Sequence, residues 1–215
     1  MRPRIDYTLY LVTDRSQMNA PTLTKAVESA IKGGCTLVQL REKTASSREF
    51  YDQAQELRVL TRAYNIPLII NDRVDIALAV DAEGVHIGQH DLPAHVIRTL
   101  IGPTKIMGVS AHTLAEAQAA AQAQADYLGI GAMFATPTKP DAATIAMTEY
   151  QRIRRHIRLP LVLIGGLTLQ TIPQLSGCGA DGMAVVSAIL AQPDIERAAS
   201  DIKETILRGK AAERQ

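Results

Sequence analysis

Short apolar, β-branched segments recur along the whole chain, and each is followed by turn residues and then by a stretch with helical spacing. The apolar segments are mostly continuous rather than alternating, which is typical of parallel strands that are buried on both faces. Eight segments are predicted to be strands: Tyr7–Thr13, Thr36–Leu40, Pro67–Asn71, Gly84–Ile87, Lys105–Val109, Tyr127–Ile130, Leu161–Ile164 and Gly182–Val186.

The intervening stretches carry helix signals. Thr113–Gln124 opens with Thr-Leu-Ala-Glu, a capping-box pattern, and continues with alanines, which are strong helix formers. Ser47 is a candidate N-cap for the helix that it begins. The predicted helices are Thr22–Lys32, Ser47–Tyr64, Thr113–Gln124, Met147–His156, Thr168–Ser176 and Asp194–Leu207, with shorter ones after Arg73 and Pro93.

This alternation of strands and helices predicts an α/β protein, a single (β/α)8 TIM barrel. A doubly wound sheet is the competing architecture, because it also alternates strands and helices. The count of eight units and the lack of a Gly-x-Gly-x-x-Gly turn after the first strand favour the barrel. One domain is expected over residues 1–215, with its core at about 7–207 and a short polar tail from Arg208.

Composition restricts the classes of partner. Hydrophobic residues make up 47% and charged residues 21% of the chain, the balance of a soluble globular protein. With 23 Lys plus Arg against 22 Asp plus Glu, no Trp and two Phe, a nucleic-acid partner is not expected. A membrane partner is not expected either, because the apolar run Leu159–Leu167 is too short to span a bilayer.

The cytoplasm is the expected compartment. Cys35 and Cys178 are far apart, which argues against a disulfide scaffold and for a reducing environment. The apolar stretch near the first residue is interrupted by Thr8 and ended by Asp14, so a signal peptide is not predicted.

Candidate chemistry begins after the second predicted strand. Strand alternation puts Gln39, Arg41 and Lys43 on one side, with Leu40 and Glu42 on the other. Hydrogen-bond donors, two of them cationic, would thus meet at the carboxyl end of a strand, where barrel enzymes place their chemistry. A surface charge cluster that pairs with nearby glutamates is the alternative.

Two carboxylates follow the next two strands. Asp72 comes directly after the third strand, and Asp91 lies four residues beyond the fourth. Because neighbouring strand ends meet, this pair suits Mg²⁺, which binds through one or two carboxylates plus substrate phosphate oxygens. The alternative is that Asp72 caps the helix that starts near Arg73.

His86 and His90 are spaced like zinc ligands on a helix, but His86 falls within a predicted strand and His90 beyond a turn. No cysteine lies nearby to complete a zinc site. His86 is therefore interpreted as a core histidine.

Later strand ends carry further candidates. Ser110 follows the fifth predicted strand, and the loop Gly131–Pro140 combines glycines, hydroxyls and a lysine, as expected of a loop that covers a ligand. Gly165–Gly166 and Val186–Ser187 follow strands seven and eight, where barrels frequently build a phosphate site. Anion sites on two sides of one pocket favour a transferase that joins two phosphorylated substrates.

These motifs, in this order, resemble the thiamine-phosphate synthase family from about Tyr10 to Ile189. The motifs that carry the resemblance are Gln39-Leu40-Arg41-Glu42-Lys43, Asn71-Asp72-Arg73, Gly84-Val85-His86-Ile87-Gly88-Gln89 with Asp91, Gly108-Val109-Ser110-Ala111-His112, Thr136-Pro137-Thr138-Lys139, Ile164-Gly165-Gly166 and Ala184-Val185-Val186-Ser187-Ala188-Ile189.

The resemblance implies condensation of 4-amino-2-methyl-5-(diphosphooxymethyl)pyrimidine with a thiazole phosphate or its carboxylated form, which gives thiamine phosphate and pyrophosphate. It implies Mg²⁺ on Asp72 and Asp91, and catalytic groups at Arg41, Lys43, Ser110 and Lys139. The pyrimidine diphosphate would contact Gln39, Leu40, Arg41, Glu42, Lys43, Asn71, Ser110 and Lys139, and the thiazole phosphate Thr136, Pro137, Thr138, Gly166, Val186 and Ser187.

Both expected partners are small molecules, and a homo-oligomer is left open. Departure of pyrophosphate leaves a cation that the aminopyrimidine can delocalise, so the protein needs no nucleophile of its own. The rival activities are a thiazole tautomerase, whose catalytic histidine is missing from Gly131–Pro140, and an inactive thiamine-phosphate-binding regulator.

Overall fold

The strands form a closed parallel barrel in the order β1 to β8. A computed structural model describes residues 5–136 and 143–212. The predicted α/β TIM barrel is thereby confirmed, and the doubly wound sheet is excluded. The strands are β1 Leu9–Val12, β2 Leu37–Leu40, β3 Leu68–Asn71, β4 Gly84–Ile87, β5 Ile106–Ala111, β6 Tyr127–Ile130, β7 Leu161–Ile164 and β8 Gly182–Val185.

Helices follow most of the strands on the outside of the barrel. Ser46, not Ser47, is the N-cap of the second helix, and it forms a reciprocal capping box with Glu49. No helix within the described residues is both long and apolar enough to cross a membrane. The helices are α1 Leu23–Lys32, α2 Ser47–Ala63, α3 Val74–Ala79, α4 Ala94–Ile101, α5 Leu114–Gln122, α6 Met147–His156, α7 Ser187–Leu190 and α8 Ile195–Ala212, with 3₁₀ turns at Arg15–Gln17 and Ile172–Leu175.

Three elements differ from the prediction in ways that change the picture, and the bounds of the other predicted elements shift by at most two residues. The helix expected at Thr168–Ser176 is only the 3₁₀ turn Ile172–Leu175. The Thr168 hydroxyl accepts hydrogen bonds from two nearby backbone N–H groups, and Pro173 has no N–H to donate, so local bonds replace the helical ones. β5 continues to Ala111 and therefore contains Ser110. α8 continues to Ala212, so the predicted polar tail is helical at its start.

Strand alternation divides the core into two clusters. One set of strand side chains packs against the helices, and Leu40 belongs to it. The other set fills the barrel interior and includes Tyr10, Ile69, Tyr127 and Val162. Three tyrosines, since Tyr7 belongs to the same cluster, make this interior more polar than the Val, Ile and Leu layers that usually fill such barrels.

The amino ends of the strands are held by a repeated arrangement. An acidic residue directly precedes β4, β6 and β8, and each carboxylate accepts a hydrogen bond from a backbone N–H at the start of the preceding strand. Each carboxylate also pairs with an arginine from α2, α4 or α6. The three pairs, called the arginine clamps below, are Arg58–Glu83, Arg98–Asp126 and Arg154–Asp181.

Arg98 makes most of its hydrogen bonds within such a clamp, and only its Nε is buried without a partner. Its guanidinium lies 2.6 Å from the Asp126 carboxylate and donates to three backbone carbonyls at the amino end of the barrel. Burial of a charged group is tolerated because the charge is both paired and hydrogen-bonded. The clamps therefore join the helices to the strand starts.

Candidate active site

Arg41 reaches the pocket at the carboxyl end of β2 with an acidic partner. Its guanidinium lies 3.1 Å from the carboxylate of Asp14, which follows β1. Asp14 also accepts hydrogen bonds from the backbone and hydroxyl of Ser16 and caps the 3₁₀ turn that follows it. Asp14 is thus fixed in place and holds Arg41, although nothing in the sequence reasoning singled it out.

Lys43 extends from the same loop toward the end of β3. Its ammonium lies 2.5 Å from the carboxylate of Asp72, and half of its side chain is exposed. Arg41 and Lys43 therefore pair with Asp14 and Asp72, not with the nearby glutamates of the surface-cluster alternative.

Leu40 and Glu42 lie on the other side, as the alternation predicted. Leu40 is buried between β2 and the helices. The Glu42 side chain is also nearly inaccessible and faces Arg15 at 4.0 Å. Burial raises the pKa of Glu42. In this arrangement the two residues support the loop from behind the pocket.

Asp72 and Asp91 meet beside Lys43. Asp91 follows the turn after β4 and accepts a hydrogen bond of 2.7 Å from the backbone N–H of Gly88. Burial raises the pKa of Asp91, and the neighbouring Asp72 carboxylate raises it further. Asp72 does not cap α3: the N-cap is Arg73, and it makes no side-chain cap hydrogen bond.

This pair fits a hard divalent cation. Two carboxylates that repel one another gain from a cation between them, and oxygen ligands are those that Mg²⁺ prefers. Within residues 5–136 and 143–212, no three His, Cys, Asp or Glu side chains are grouped to hold a metal. A cation on Asp72 and Asp91 would therefore take further ligands from substrate or water.

The pocket floor is polar. Gln39 and Asn71 are buried at the ends of β2 and β3. Ser110, near the end of β5, lies 2.9 Å from Nε2 of His86, whose Nδ1 lies 2.9 Å from the Tyr127 hydroxyl. Both ring nitrogens of His86 thus contact protein hydroxyls, as expected of a core histidine rather than a zinc ligand.

The opposite side of the pocket is built from the loops after β6, β7 and β8. Gly166 has a φ of +64°, and a Cβ there would lie 2.7 Å from the carbonyl oxygen of Ala135. The loops after β6 and β7 are joined by a hydrogen bond of 3.1 Å from the Phe134 N–H to the Gly165 carbonyl. Only a residue without a side chain fits where these loops touch.

Predicted thiazole-phosphate contacts fall partly on this surface. Thr136 is half-buried in the loop after β6, and Val186 and Ser187 are half-buried at the end of β8, where α7 begins. Because β3 and β7 lie opposite one another in the ring, this surface faces the Asp72 side of the pocket. Pro137, Thr138 and Lys139 lie outside the described residues.

Tyr10 and Tyr127 were not predicted as site residues. Both occupy inward positions of predicted strands and are buried under the pocket. Their signal in the sequence was a tyrosine at inward positions where such barrels usually carry aliphatic side chains. The fold and site together define a TIM-barrel protein with a charged pocket suited to anionic substrates.

Comparison with known proteins identifies the family. The family model described as thiamine monophosphate synthase matches residues 9–189. Thiamine-phosphate synthase of Clostridium beijerinckii is 52% identical over 97% of this chain and 100% of its own length. That of Clostridium botulinum is 54% identical over 95% of this chain and 96% of its own.

A solved structure agrees with these relatives. Thiamine phosphate pyrophosphorylase from Pyrococcus furiosus superposes with a TM-score of 0.87 at 36% identity, covering 95% of this chain and 98% of its own. The chain belongs to the thiamine monophosphate synthase family. The predicted enzymatic activity, a condensation in thiamine biosynthesis, is confirmed at this level, and neither rival activity is favoured.

Proposed function

We propose that the pocket binds the pyrimidine diphosphate on the β2–β4 side and the thiazole phosphate on the β6–β8 side. The observation that carries this assignment is the cluster of Arg41, Lys43, Asp72 and Asp91, in which two cations and two carboxylates meet at neighbouring strand ends. A diphosphate needs both cationic groups and a divalent cation, and this side of the pocket has groups for each.

Asp72 and Asp91 would hold the Mg²⁺, which, when bound, supplies positive charge to the departing diphosphate. Arg41 and Lys43 orient the same group from the β2 loop, and Asp14 keeps the guanidinium aimed by pairing with it. Lys139 is proposed to join them from the loop after β6. Their cationic charge favours the transition state, in which negative charge accumulates on the leaving oxygen.

Asn71, Gln39 and Ser110 supply amide and hydroxyl groups at the pocket floor, where the aminopyrimidine ring would lie. Leu40 and Glu42, whose side chains lie behind the β2 loop, are proposed to contact the pyrimidine diphosphate through the loop backbone. The chain provides alignment and charge neutralisation rather than a nucleophile, because the thiazole nitrogen itself attacks the pyrimidine methylene.

Thr136, Pro137, Thr138, Gly166, Val186 and Ser187 are proposed to bind the thiazole phosphate. What supports this side is Gly166, because its missing Cβ lets the loop after β7 pack against the Ala135 carbonyl, next to Thr136. The Ser187 hydroxyl, at the end of β8, adds a donor to the same surface.

The Mg²⁺ assignment is tested by measuring pyrophosphate release from both substrates. EDTA should abolish turnover, and added Mg²⁺ should restore it. Asp91→Ala should require much more Mg²⁺, whereas Asp52→Ala, which removes an exposed carboxylate on α2, should titrate like the native enzyme. Full turnover of Asp91→Ala in chelator would reject the assignment.

The thiazole side is tested with two glycine variants. Gly166→Ala and Gly102→Ala both place a side chain at positive φ, but only at Gly166 does the new Cβ meet neighbouring backbone. The thiazole phosphate KM should rise for Gly166→Ala alone. If instead only the pyrimidine KM rises, the two sides of the pocket have been assigned the wrong way round.

We also propose that the protein works in the cytoplasm and that its partners are small molecules. Cys35 is buried and Cys178 is half-buried, and the two are not joined in a disulfide. Thiols that stay reduced are typical of a reducing compartment.

A further inference from the structure

A continuous chain of hydrogen-bonded side chains crosses the barrel interior under the pocket. Gln39 Nε2 donates to the Tyr10 hydroxyl at 2.7 Å, and Tyr10 lies 2.8 Å from the Tyr127 hydroxyl. Tyr127 then contacts His86 Nδ1, and His86 Nε2 contacts the Ser110 hydroxyl, each at 2.9 Å. The hydrogen bonds therefore connect Gln39 on β2 with Ser110 on β5, both of which are proposed to contact the pyrimidine diphosphate.

Neighbouring strands leave room for this chain. A Cβ at Gly108 would lie 2.1 Å from the Tyr127 ring and 2.5 Å from His86 Nδ1. A Cβ at Gly129 would lie 3.0 Å from His86 Cε1. Glycine thus occupies two inward positions where a side chain would displace the contact between Tyr127 and His86.

The donors and acceptors favour one direction for these hydrogen bonds. Each tyrosine hydroxyl has one proton to donate and can accept twice. Tyr10 accepts from Gln39, and donation of its own proton to Tyr127 leaves no buried proton unpaired; the Tyr127 proton then goes to His86 Nδ1. The reverse direction would leave the Tyr10 proton without an acceptor unless the Gln39 amide oxygen, instead of its nitrogen, faced Tyr10.

The hydrogen bond that His86 makes with Tyr127 determines which partner donates between His86 and Ser110. Both ring nitrogens of His86 face hydroxyls and, among the described residues, neither contacts a carboxylate, which is the setting of a neutral imidazole with one N–H. With Nδ1 accepting from Tyr127, the hydrogen lies on Nε2 and is donated to the Ser110 oxygen. The Ser110 proton is then left to point away from His86.

We propose that Tyr127 and His86 are positioning residues that fix the Ser110 hydroxyl as a hydrogen-bond donor toward the bound pyrimidine diphosphate. The group that Ser110 recognises is accordingly an acceptor, a ring nitrogen or phosphate oxygen, and not the exocyclic amino group. This inference rests on the proposed assignment of the β2–β4 side to the pyrimidine diphosphate.

The direction of these side-chain hydrogen bonds can be measured without any substrate. In protein labelled with ¹⁵N-histidine, the imidazole nitrogen shifts report which ring nitrogen carries the hydrogen, and His86→Gln identifies the signal among the five histidines. We expect His86 to carry its hydrogen on Nε2, and Tyr127→Phe to give a mixture of both tautomers. A hydrogen on Nδ1 in the native protein would overturn the proposal.

The positioning role is measured by a double-mutant cycle. Tyr127→Phe keeps the ring and should lower kcat/KM for the pyrimidine diphosphate about tenfold, the factor that about 1.4 kcal/mol represents. In a Ser110→Ala background the same change should cost nothing further, because the hydroxyl that Tyr127 aims is gone. An undiminished tenfold loss in that background would show that Tyr127 acts independently of Ser110.

Tyr7→Phe is the matched control. The Tyr7 ring packs against Tyr127 with centroids 5.0 Å apart, but its hydroxyl lies outside the chain of hydrogen bonds. Its kcat/KM should stay near the native value, and an equal loss would mean that any change in ring packing is responsible. Native pyrophosphate release tests the proposed function separately, since the tautomer is read in the absence of substrate.

Discussion

The two ends of the barrel use the same residue types in opposite ways. At the amino ends, the three arginine clamps pair each carboxylate with one guanidinium and with a backbone N–H. At the carboxyl ends, Asp72 and Asp91 lie against each other and share one half-exposed lysine. Charge that is paired and hydrogen-bonded within the protein serves stability, whereas charge that gains from an external cation or anion serves binding.

Breaking an arginine clamp should have the largest effect on the free energy of unfolding. Arg98→Met keeps the length and apolar stem of the side chain but leaves Asp126 and three carbonyls without the guanidinium. We expect a loss of about 3–5 kcal/mol in the free energy of unfolding, measured by urea denaturation. Arg208→Met, at an exposed ion pair on α8, should change it very little.

At the carboxyl end, Lys43→Ala should instead affect the rate. Removing a charge that stabilises the leaving group should lower kcat by about 10²–10³, by analogy with the loss of oxyanion-hole donors. The free energy of unfolding should change by less than about 1 kcal/mol, because the ion pair with Asp72 is half exposed. Lys32→Ala, at a surface pair on α1, should leave kcat unaltered; a large loss of stability for Lys43→Ala would erase the contrast between the two ends.

Asp14→Asn tests whether a carboxylate at the pocket can act by positioning. The amide retains an oxygen for the Ser16 hydrogen bonds but removes the charge that holds Arg41. We expect kcat/KM for the pyrimidine diphosphate to fall about tenfold, the effect of about 1.4 kcal/mol. Asp52→Asn makes the same change of net charge on the surface and should leave this ratio at its native value.

The smallest expected effect is an increase in the free energy of unfolding when Asp91 loses its charge. The pKa of Asp91 is raised in the folded state, so the folded protein binds more protons than the unfolded chain between the ordinary Asp pKa, near ~3.9, and the raised one. Stability in EDTA should therefore fall as pH rises through that window. Asp91→Asn should remove this decrease and stabilise the protein at neutral pH by less than about 1 kcal/mol, after solvent screening.

Asp75→Asn is the control, because it should change the free energy of unfolding in the opposite direction to Asp91→Asn. The hydrogen-bonded Arg73 lowers the pKa of Asp75, so its charge contributes stability above the ordinary Asp pKa. The variant should lose stability at neutral pH. Equal losses for Asp91→Asn and Asp75→Asn would mean that Asp91 is as well partnered as a surface ion pair.

The sequence predicted the barrel because continuous apolar runs such as Leu161–Ile164 and Tyr127–Ile130 are governed by local pattern alone. It failed at Thr168–Ser176, where side-chain hydrogen bonds and Pro173 compete with the helix. Propensity alone does not reveal that competition.

Site prediction had a similar limit. Arg41 and Asp72 follow strand ends and could be placed by topology, so their neighbours on adjacent strands could be anticipated. Asp14 and Tyr127 contact residues far along the chain. No local pattern marks Asp14, and the inward strand position of Tyr127 does not reveal its partners. Such partners become visible only when the strands are placed side by side.

The order of strand pairing has a consequence for how the chain folds. Each strand pairs with its neighbour in sequence, except that Leu9 of β1 pairs with Met183 of β8. Pairings between neighbours close short loops, whereas this one closes nearly the whole chain and carries the greatest loop entropy. We therefore expect the β1–β8 seam to form last. The two substrate surfaces lie on opposite sides of that seam, so a nascent or partly folded chain can possess the clamps and each half of the pocket before the two halves are brought face to face.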